Sequence, residues 1–184
     1  MNELYAEVFA KTYNMECIGL RYFNVFGRRQ DPFGAYAAVI PLFVKKFMAH
    51  ESPVINGDGE YSRDFTYIDD VVEDIMCVLN CITQTNSSWN SQYPEADTSL
   101  APYRIFDIGN SSPVKLMDFI HAIEEACGKL AKKIYLLMQS GDVYQTNADV
   151  CSLEKATGFK LNTSIKDGVK QTVDWYKSFY EFYK

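Results

Sequence analysis

The sequence predicts an α/β protein whose sheet is at least partly parallel. Segments with helical spacing alternate with short strand-like runs along the chain. One of those runs, Cys17-Ile-Gly-Leu-Arg-Tyr-Phe-Asn-Val-Phe-Gly27, is apolar at nearly every position. Such a run suits a strand covered on both faces, the habit of parallel sheets. With 184 residues, 47% of them hydrophobic, the chain can bury one sizeable core and a small second lobe.

The elements follow in order. Leu4, Tyr5, Val8 and Phe9 form the stripe of a buried helix face over Asn2–Tyr13, with Asn2 as N-cap. After the Cys17–Gly27 strand, Asp31-Pro-Phe-Gly34 is a turn. Ala37–His50 reads as a helix, with Pro41 tolerable near its start. Pro53–Asn56 and Tyr61–Ile68 flank Gly57-Asp-Gly-Glu60, which is hairpin chemistry. Asp69 and Asp70 offer N-caps to a helix through Val71, Val72, Ile75, Met76 and Leu79. Residues 83–102 are rich in Ser, Thr, Asn, Gln and Pro and read as a mobile surface loop. Tyr103–Gly109 is a strand, Val114–Cys127 a helix ended by Gly128, and Lys133–Leu137 another strand. Val150–Thr157 is a short helix stopped at Gly158, and Ser164–Phe182 a last helix with an aromatic face.

Composition excludes several classes of function. A net charge of −6 argues against nucleic-acid binding, which needs a basic surface. No run of about 18 apolar residues is present to span a membrane, and no basic-then-apolar leader follows Met1, so a cytoplasmic protein is expected. Five cysteines without a leader read as free core thiols, and with only His50 and His121 as imidazoles no metal site is expected.

Leu20-Arg-Tyr-Phe-Asn-Val-Phe-Gly27, followed about forty residues later by Ser62-Arg-Asp-Phe-Thr-Tyr-Ile-Asp-Asp70, resembles the extended short-chain dehydrogenase/reductases that act on nucleotide sugars. The likeness is greatest to their NAD-dependent UDP-sugar 4-epimerases, and it covers nearly the whole chain except residues 83–102. Gly27-Arg-Arg-Gln-Asp-Pro32 with Gly34–Pro41 is similar to UDP-N-acetylglucosamine 4-epimerases. Met138-Gln-Ser-Gly-Asp-Val-Tyr-Gln-Thr146 and the ending Asp174-Trp-Tyr-Lys177 are similar to UDP-glucuronate 4-epimerases. The first carries more weight, because that stretch would lie close to the sugar. Family members open with a strand, a Gly-x-x-Gly-x-x-Gly turn and a helix that cradle the dinucleotide, and use a Tyr-x-x-x-Lys pair for acid/base chemistry. Neither is found here in its place. Tyr180-Glu-Phe-Tyr-Lys184 matches the second spacing but lacks a neighbouring strand and Ser/Thr, so it reads as a packing face.

The resemblance therefore implies a C-terminal half. Residues 1–35 would be the end of a Rossmann-type core to which later strands return, and 36–184 mainly a small α/β substrate-binding lobe. It assigns no catalytic residue to this chain. It implies substrate contacts at Asn24, Arg28, Ala38, Val39, Arg63, Gln139 and Asp142, and places Tyr22 and Phe23 beside the nicotinamide. Arg63 would meet the diphosphate, unless it pairs instead with Asp58 or Asp64. Asn24, at the C-terminal end of an apolar strand, would donate to a phosphate oxygen. Gln139 replaces the second Arg of many relatives, and Asp142 orders its loop or touches substrate.

The expected function is the substrate-binding half of an NAD-dependent UDP-hexose 4-epimerase, inactive alone. NAD would be held by the complete enzyme and not by this chain. Its partners would be a UDP-sugar, the missing N-terminal half and, for the complete enzyme, a second copy. Alternatives are a non-catalytic nucleotide-sugar-binding module, an inert fragment or, within enzymes, a nucleotide-sugar dehydratase or reductase.

Overall fold

The computed structural model describes residues 1–34, 39–138 and 140–181. Ala38 and Gln139 lie outside them, as do the last residues of the Tyr180–Lys184 match. In chain order the elements are α1 (Asn2–Tyr13), β1 (Cys17–Tyr22), β2 (Val25–Phe26), α2 (Val39–Met48), β3 (Val54–Asn56), β4 (Ser62–Arg63), β5 (Thr66–Tyr67), α3 (Ile68–Val78), β6 (Tyr103–Ile108), β7 (Val114–Lys115), α4 (Leu116–Cys127), β8 (Ile134–Leu136), α5 (Cys151–Thr157) and α6 (Ile165–Glu181).

The expected parallel pairing is present. β1 runs parallel to β6 in the register Cys17↔Tyr103 through Tyr22↔Ile108. Both faces of this pair are covered, which explains the nearly unbroken apolar run. Ile18, Leu20, Phe106 and Ile108 pack with Val71 and Val78 of α3 and Leu153 of α5. On the other face Tyr103 and Ile105 meet Ala6 and Ala10 of α1. The Arg21 guanidinium also donates to both carboxylate oxygens of Glu3, at 2.8 and 2.7 Å, fastening α1 to β1. A second, larger core joins α2, α4 and α6 around Phe26, Val44, Phe47, Phe119, Ile123, Val169 and Val173. Phe26 and Phe119 meet there edge to face, with ring centroids 5.4 Å apart.

Several expectations are corrected. The α1 stripe of Leu4, Tyr5, Val8 and Phe9 is exposed, because the alanine side of the helix faces the strands. Asn2 is inside α1, whose N-cap is Met1. The segments flanking Gly57–Glu60 do not form a hairpin. Gly57 and Gly59 do turn the chain with φ of 71° and 78°, but β3 pairs in parallel with β8, β4 antiparallel with β7, and β5 in parallel with β2. Asp69 and Asp70 do not cap α3; Tyr67 precedes the helix without a side-chain cap. Asp69 instead pairs with Arg28, and Asp70 accepts the backbone N–H and the hydroxyl of Thr163. Of the cysteines only Cys127 is buried; Cys17, Cys77 and Cys81 are half-buried and Cys151 is exposed.

The polar segment 83–102 has an irregular backbone whose side chains largely bond one another. Asn86 donates to Glu95 and Thr98, and Trp89 donates to the Glu95 carbonyl. The match at Tyr180 is a packing residue, its ring 4.4 Å from that of Tyr176. No helix among the described residues is long and apolar enough to cross a membrane.

One buried carboxyl sits outside these patterns. Asp74 on α3 is 1% exposed, and its Oδ2 has no hydrogen-bond partner among the described residues. Burial, and then the charges of Asp70, Glu154 and Glu73, push it up to about 6. The fold thus disfavours the ionised form. The cost is fully present above pH 6 and disappears as pH falls below the unfolded value of about 3.9. Asp74→Asn is expected to stabilise the chain by about 1–2 kcal/mol at pH 7.5, allowing for solvent screening, with the gain shrinking towards pH 4. Paired thermal melts of both proteins across that range check this. A difference that stays constant with pH would refute it.

Candidate functional site

The C-terminal ends of β1 and β6 lie side by side, the place where open parallel sheets collect ligands. The Phe23 N–H donates to the Ile108 carbonyl at 2.9 Å, carrying the pairing one residue past β1. The chain then bends sharply at Asn24, whose φ of 35° falls in a left-handed region that Asn tolerates better than most residues. Thr66 stitches the bend from beside β2, its hydroxyl donating to the Phe23 carbonyl and its N–H to the Asn24 carbonyl. Asn24 and Tyr22 are consequently exposed while Phe23 is half-buried.

Beneath this bend sits Asp64, 0% exposed. Its carboxylate accepts backbone N–H bonds from Asn110 at 3.1 Å, Ser111 at 3.0 Å and Ala148 at 2.9 Å. Among the described residues its partners are these three backbone N–H groups. The arrangement joins the strand that contributes Arg63, the turn after β6 and the segment 142–148. Gly109 is required beside it, since a Cβ there would lie 2.4 Å from Ala148 Cβ and 2.9 Å from Asp64 Oδ2.

The segment 142–148 acts as a strap along β4. Ser62 N–H donates to the Tyr144 carbonyl, and Thr146 N–H donates back to the Ser62 carbonyl. Arg63 projects against the strap with its side chain 16% exposed, paired with Asp142 at 3.0 Å. Its Nη1 donates to the Ser62 and Tyr144 carbonyls, and the Tyr61 ring lies 5.7 Å from the guanidinium carbon. The partner is therefore Asp142, neither Asp58 nor Asp64. With these contacts on Nη1 and Nη2, Nε–H and one Nη2 hydrogen have no partner among the described residues. Burial, followed by the charges of Asp142 and Asp58, raises the Tyr61 phenol and keeps it neutral beside the arginine.

The same strap reaches Asn24. The Thr146 hydroxyl donates to Asn24 Oδ1 at 2.9 Å and accepts the Asp64 N–H at 3.1 Å. The structure thus links Asn24 and Arg63 through one strap that also carries Asp142, with Tyr22 and Phe23 preceding Asn24 in the chain. Arg28 is elsewhere engaged, 2.6 Å from Asp69 at the start of α3, and Val39 is exposed at the first position of α2. Asp64 and Thr146 were not legible as members of the site. The sequence offers Asp64 only as a partner for Arg63, and its actual partners are backbone groups that a sequence does not reveal.

A separate wide groove of about 1330 Å³ lies between residues 80–86 and α5, lined by Arg21, Thr83, Arg104, Asp107, Cys151 and Lys155 among others. None of the candidate site residues among the described ones lines it.

Residues 1–90 match the family model described as the NAD dependent epimerase/dehydratase family. A probable UDP-glucuronate 4-epimerase of Rhizobium meliloti is 37% identical, over 97% of this chain and 51% of that protein. The solved UDP-N-acetylglucosamine 4-epimerase of Methanobrevibacter ruminantium, in complex with UDP-N-acetylmuramic acid, is 30% identical with a TM-score of 0.79, covering 96% of this chain and 51% of its own. The UDP-glucuronic acid 4-epimerase of Bacillus cereus, in complex with UDP-glucuronic acid and NAD, is 27% identical with a TM-score of 0.76, covering 97% of this chain and 50% of its own. The chain spans about half the length of the curated relatives and solved structures it matches here.

Proposed function

Because the chain belongs to the NAD dependent epimerase/dehydratase family, we propose that it is the C-terminal, nucleotide-sugar-binding half of a UDP-sugar 4-epimerase. The observation that carries this reading is the shared anchorage of Arg63 and Asn24 on the 142–146 strap, at the carboxyl end of the parallel strands. Two Arg63 hydrogens and the Asn24 amide are directional donors suited to diphosphate oxygens. In this reading Asp142 holds the Arg63 fork in place, and Ala38, Val39, Gln139 and Arg28 complete the pocket for the uridine and sugar. Residues 1–35 belong to the cofactor-binding core, to which β6 returns, and 36–184 mainly to the substrate lobe.

The exposed aromatic ring of Tyr22 and the adjoining Phe23 fit the flank of a nicotinamide. The chain's glycines do not form a Gly-x-x-Gly-x-x-Gly turn, so the pyrophosphate cradle comes from the other half. When bound in the complete enzyme, NAD would supply reversible hydride acceptance at the hexose C4. This chain's share of the work is to grip the diphosphate and so hold the hexose at the cofactor. Alone it binds substrate without turnover. The exposed Leu4, Tyr5, Val8 and Phe9 stripe suits a helix covered in the complete enzyme, which we place at a homodimer contact.

Calorimetric titration of the 184-residue chain with UDP, UMP and uridine tests the reading. We expect affinity to rise by about tenfold or more for each phosphate added, since each brings charge-assisted hydrogen bonds. UDP binding no tighter than uridine would overturn it.

A further inference from the structure

We infer that Thr146 is a positioning residue that aims the Asn24 carboxamide, so that its NH2 group faces the diphosphate of the bound nucleotide. The inference rests on the nucleotide-sugar reading above and adds a residue to it. Asn24 is exposed and bent into the left-handed region, so its backbone alone leaves the terminal amide free to turn either way. The Thr146 hydroxyl removes that freedom. It has one hydrogen and accepts the Asp64 N–H at 3.1 Å, and its hydrogen goes to Asn24 Oδ1 at 2.9 Å. Reversing the amide would set an NH2 against the hydroxyl and strip the O–H of this acceptor. No described residue accepts from Asn24 Nδ2, and the residue is exposed, so its amide hydrogens are left for a ligand.

The hydroxyl is itself fixed. The Thr146 N–H donates to the Ser62 carbonyl, and the Asp64 carboxylate grips Ala148 two residues further on. Threonine's branched Cβ restricts χ1 and keeps the hydroxyl on Asn24. A valine of the same shape removes the contact with the amide and also the acceptor of the Asp64 N–H, while the backbone bond from Thr146 N–H to the Ser62 carbonyl remains.

A double-mutant cycle on UDP affinity, measured by calorimetry alongside thermal melts, tests this. Thr146→Val is expected to weaken UDP about tenfold in the wild-type background and less than about twofold in the Asn24→Ala background, with Thr146→Ser restoring binding to within about threefold. If valine lowers the melting temperature markedly, Thr146→Ala takes its place in the same cycle. Equal losses in both backgrounds would show that Thr146 serves only the strap, and overturn the inference. So would unchanged UDP affinity in the folded Thr146→Val protein. A wild-type chain that does not bind UDP is a different result, one that removes the nucleotide-sugar reading and this inference with it.

Discussion

Asp64→Ala is expected to destabilise the chain by about 4–6 kcal/mol and to erase its cooperative thermal transition near physiological temperature. The substitution removes a fully buried carboxylate and strands the N–H groups of Asn110, Ser111 and Ala148. Each unsatisfied buried donor costs about 1–3 kcal/mol, and a typical domain has only about 5–15 kcal/mol in hand. Since those donors come from the turn after β6 and from the strap, their loss loosens the ligand site and the junction with the parallel pair together. Asp64→Asn keeps one acceptor oxygen and should lose about half as much. Urea unfolding followed by circular dichroism measures both. An alanine variant within about 1 kcal/mol of wild type would mean that water replaces the carboxylate and that the junction does not depend on it.

Arg63→Ala is expected to weaken UDP binding by about a hundredfold while lowering stability by only about 1 kcal/mol. The guanidinium is partly exposed, and once it is gone Asp142 can be solvated by water. The loss in affinity is larger because two charge-assisted donors to the diphosphate vanish together. Asp142 also loses its counter-charge, so the strap presents a bare carboxylate to the ligand. Arg63→Lys keeps the charge but not the planar fork, and should recover about a tenth of the wild-type affinity. Calorimetry of these variants, with melting temperatures as the control, separates binding from folding. Unchanged UDP affinity in the alanine variant would remove Arg63 from the site.

Much of the architecture was legible because local chemistry and tertiary context agree. The helices over Leu116–Cys127 and Cys151–Thr157 end where Gly128 and Gly158 take left-handed φ values of 67° and 69°. The last helix opens where the Ser164 hydroxyl accepts the Asp167 N–H. The apolar strand Cys17–Tyr22 pairs in parallel with Tyr103–Ile108, as its pattern required. Errors arose where distant partners override a local signal. The Gly57–Glu60 turn has hairpin chemistry, yet β8, β7 and β2 claim the strands on either side of it. Asp70 has a capping side chain, but Thr163, far along the chain, claims both of its oxygens.

The site divides in the same way. Arg63 and Asn24 stand in the motifs that carry the family resemblance, from which diphosphate contacts are expected. Of their supports, Asp142 is named by the resemblance, whereas Thr146 and Asp64 depend on bonds to segments more than eighty residues away, and in Asp64's case to backbone atoms. A sequence carries no local trace of those.

The most direct test of the account is amide chemical-shift mapping of the chain titrated with UDP-glucuronate. We predict saturable shifts concentrated at Asn24, Arg63 and residues 142–146, including the Asn24 side-chain amide. Shifts confined to the groove around Thr83, Arg104 and Cys151, or no shifts at millimolar ligand in a folded sample, would contradict it.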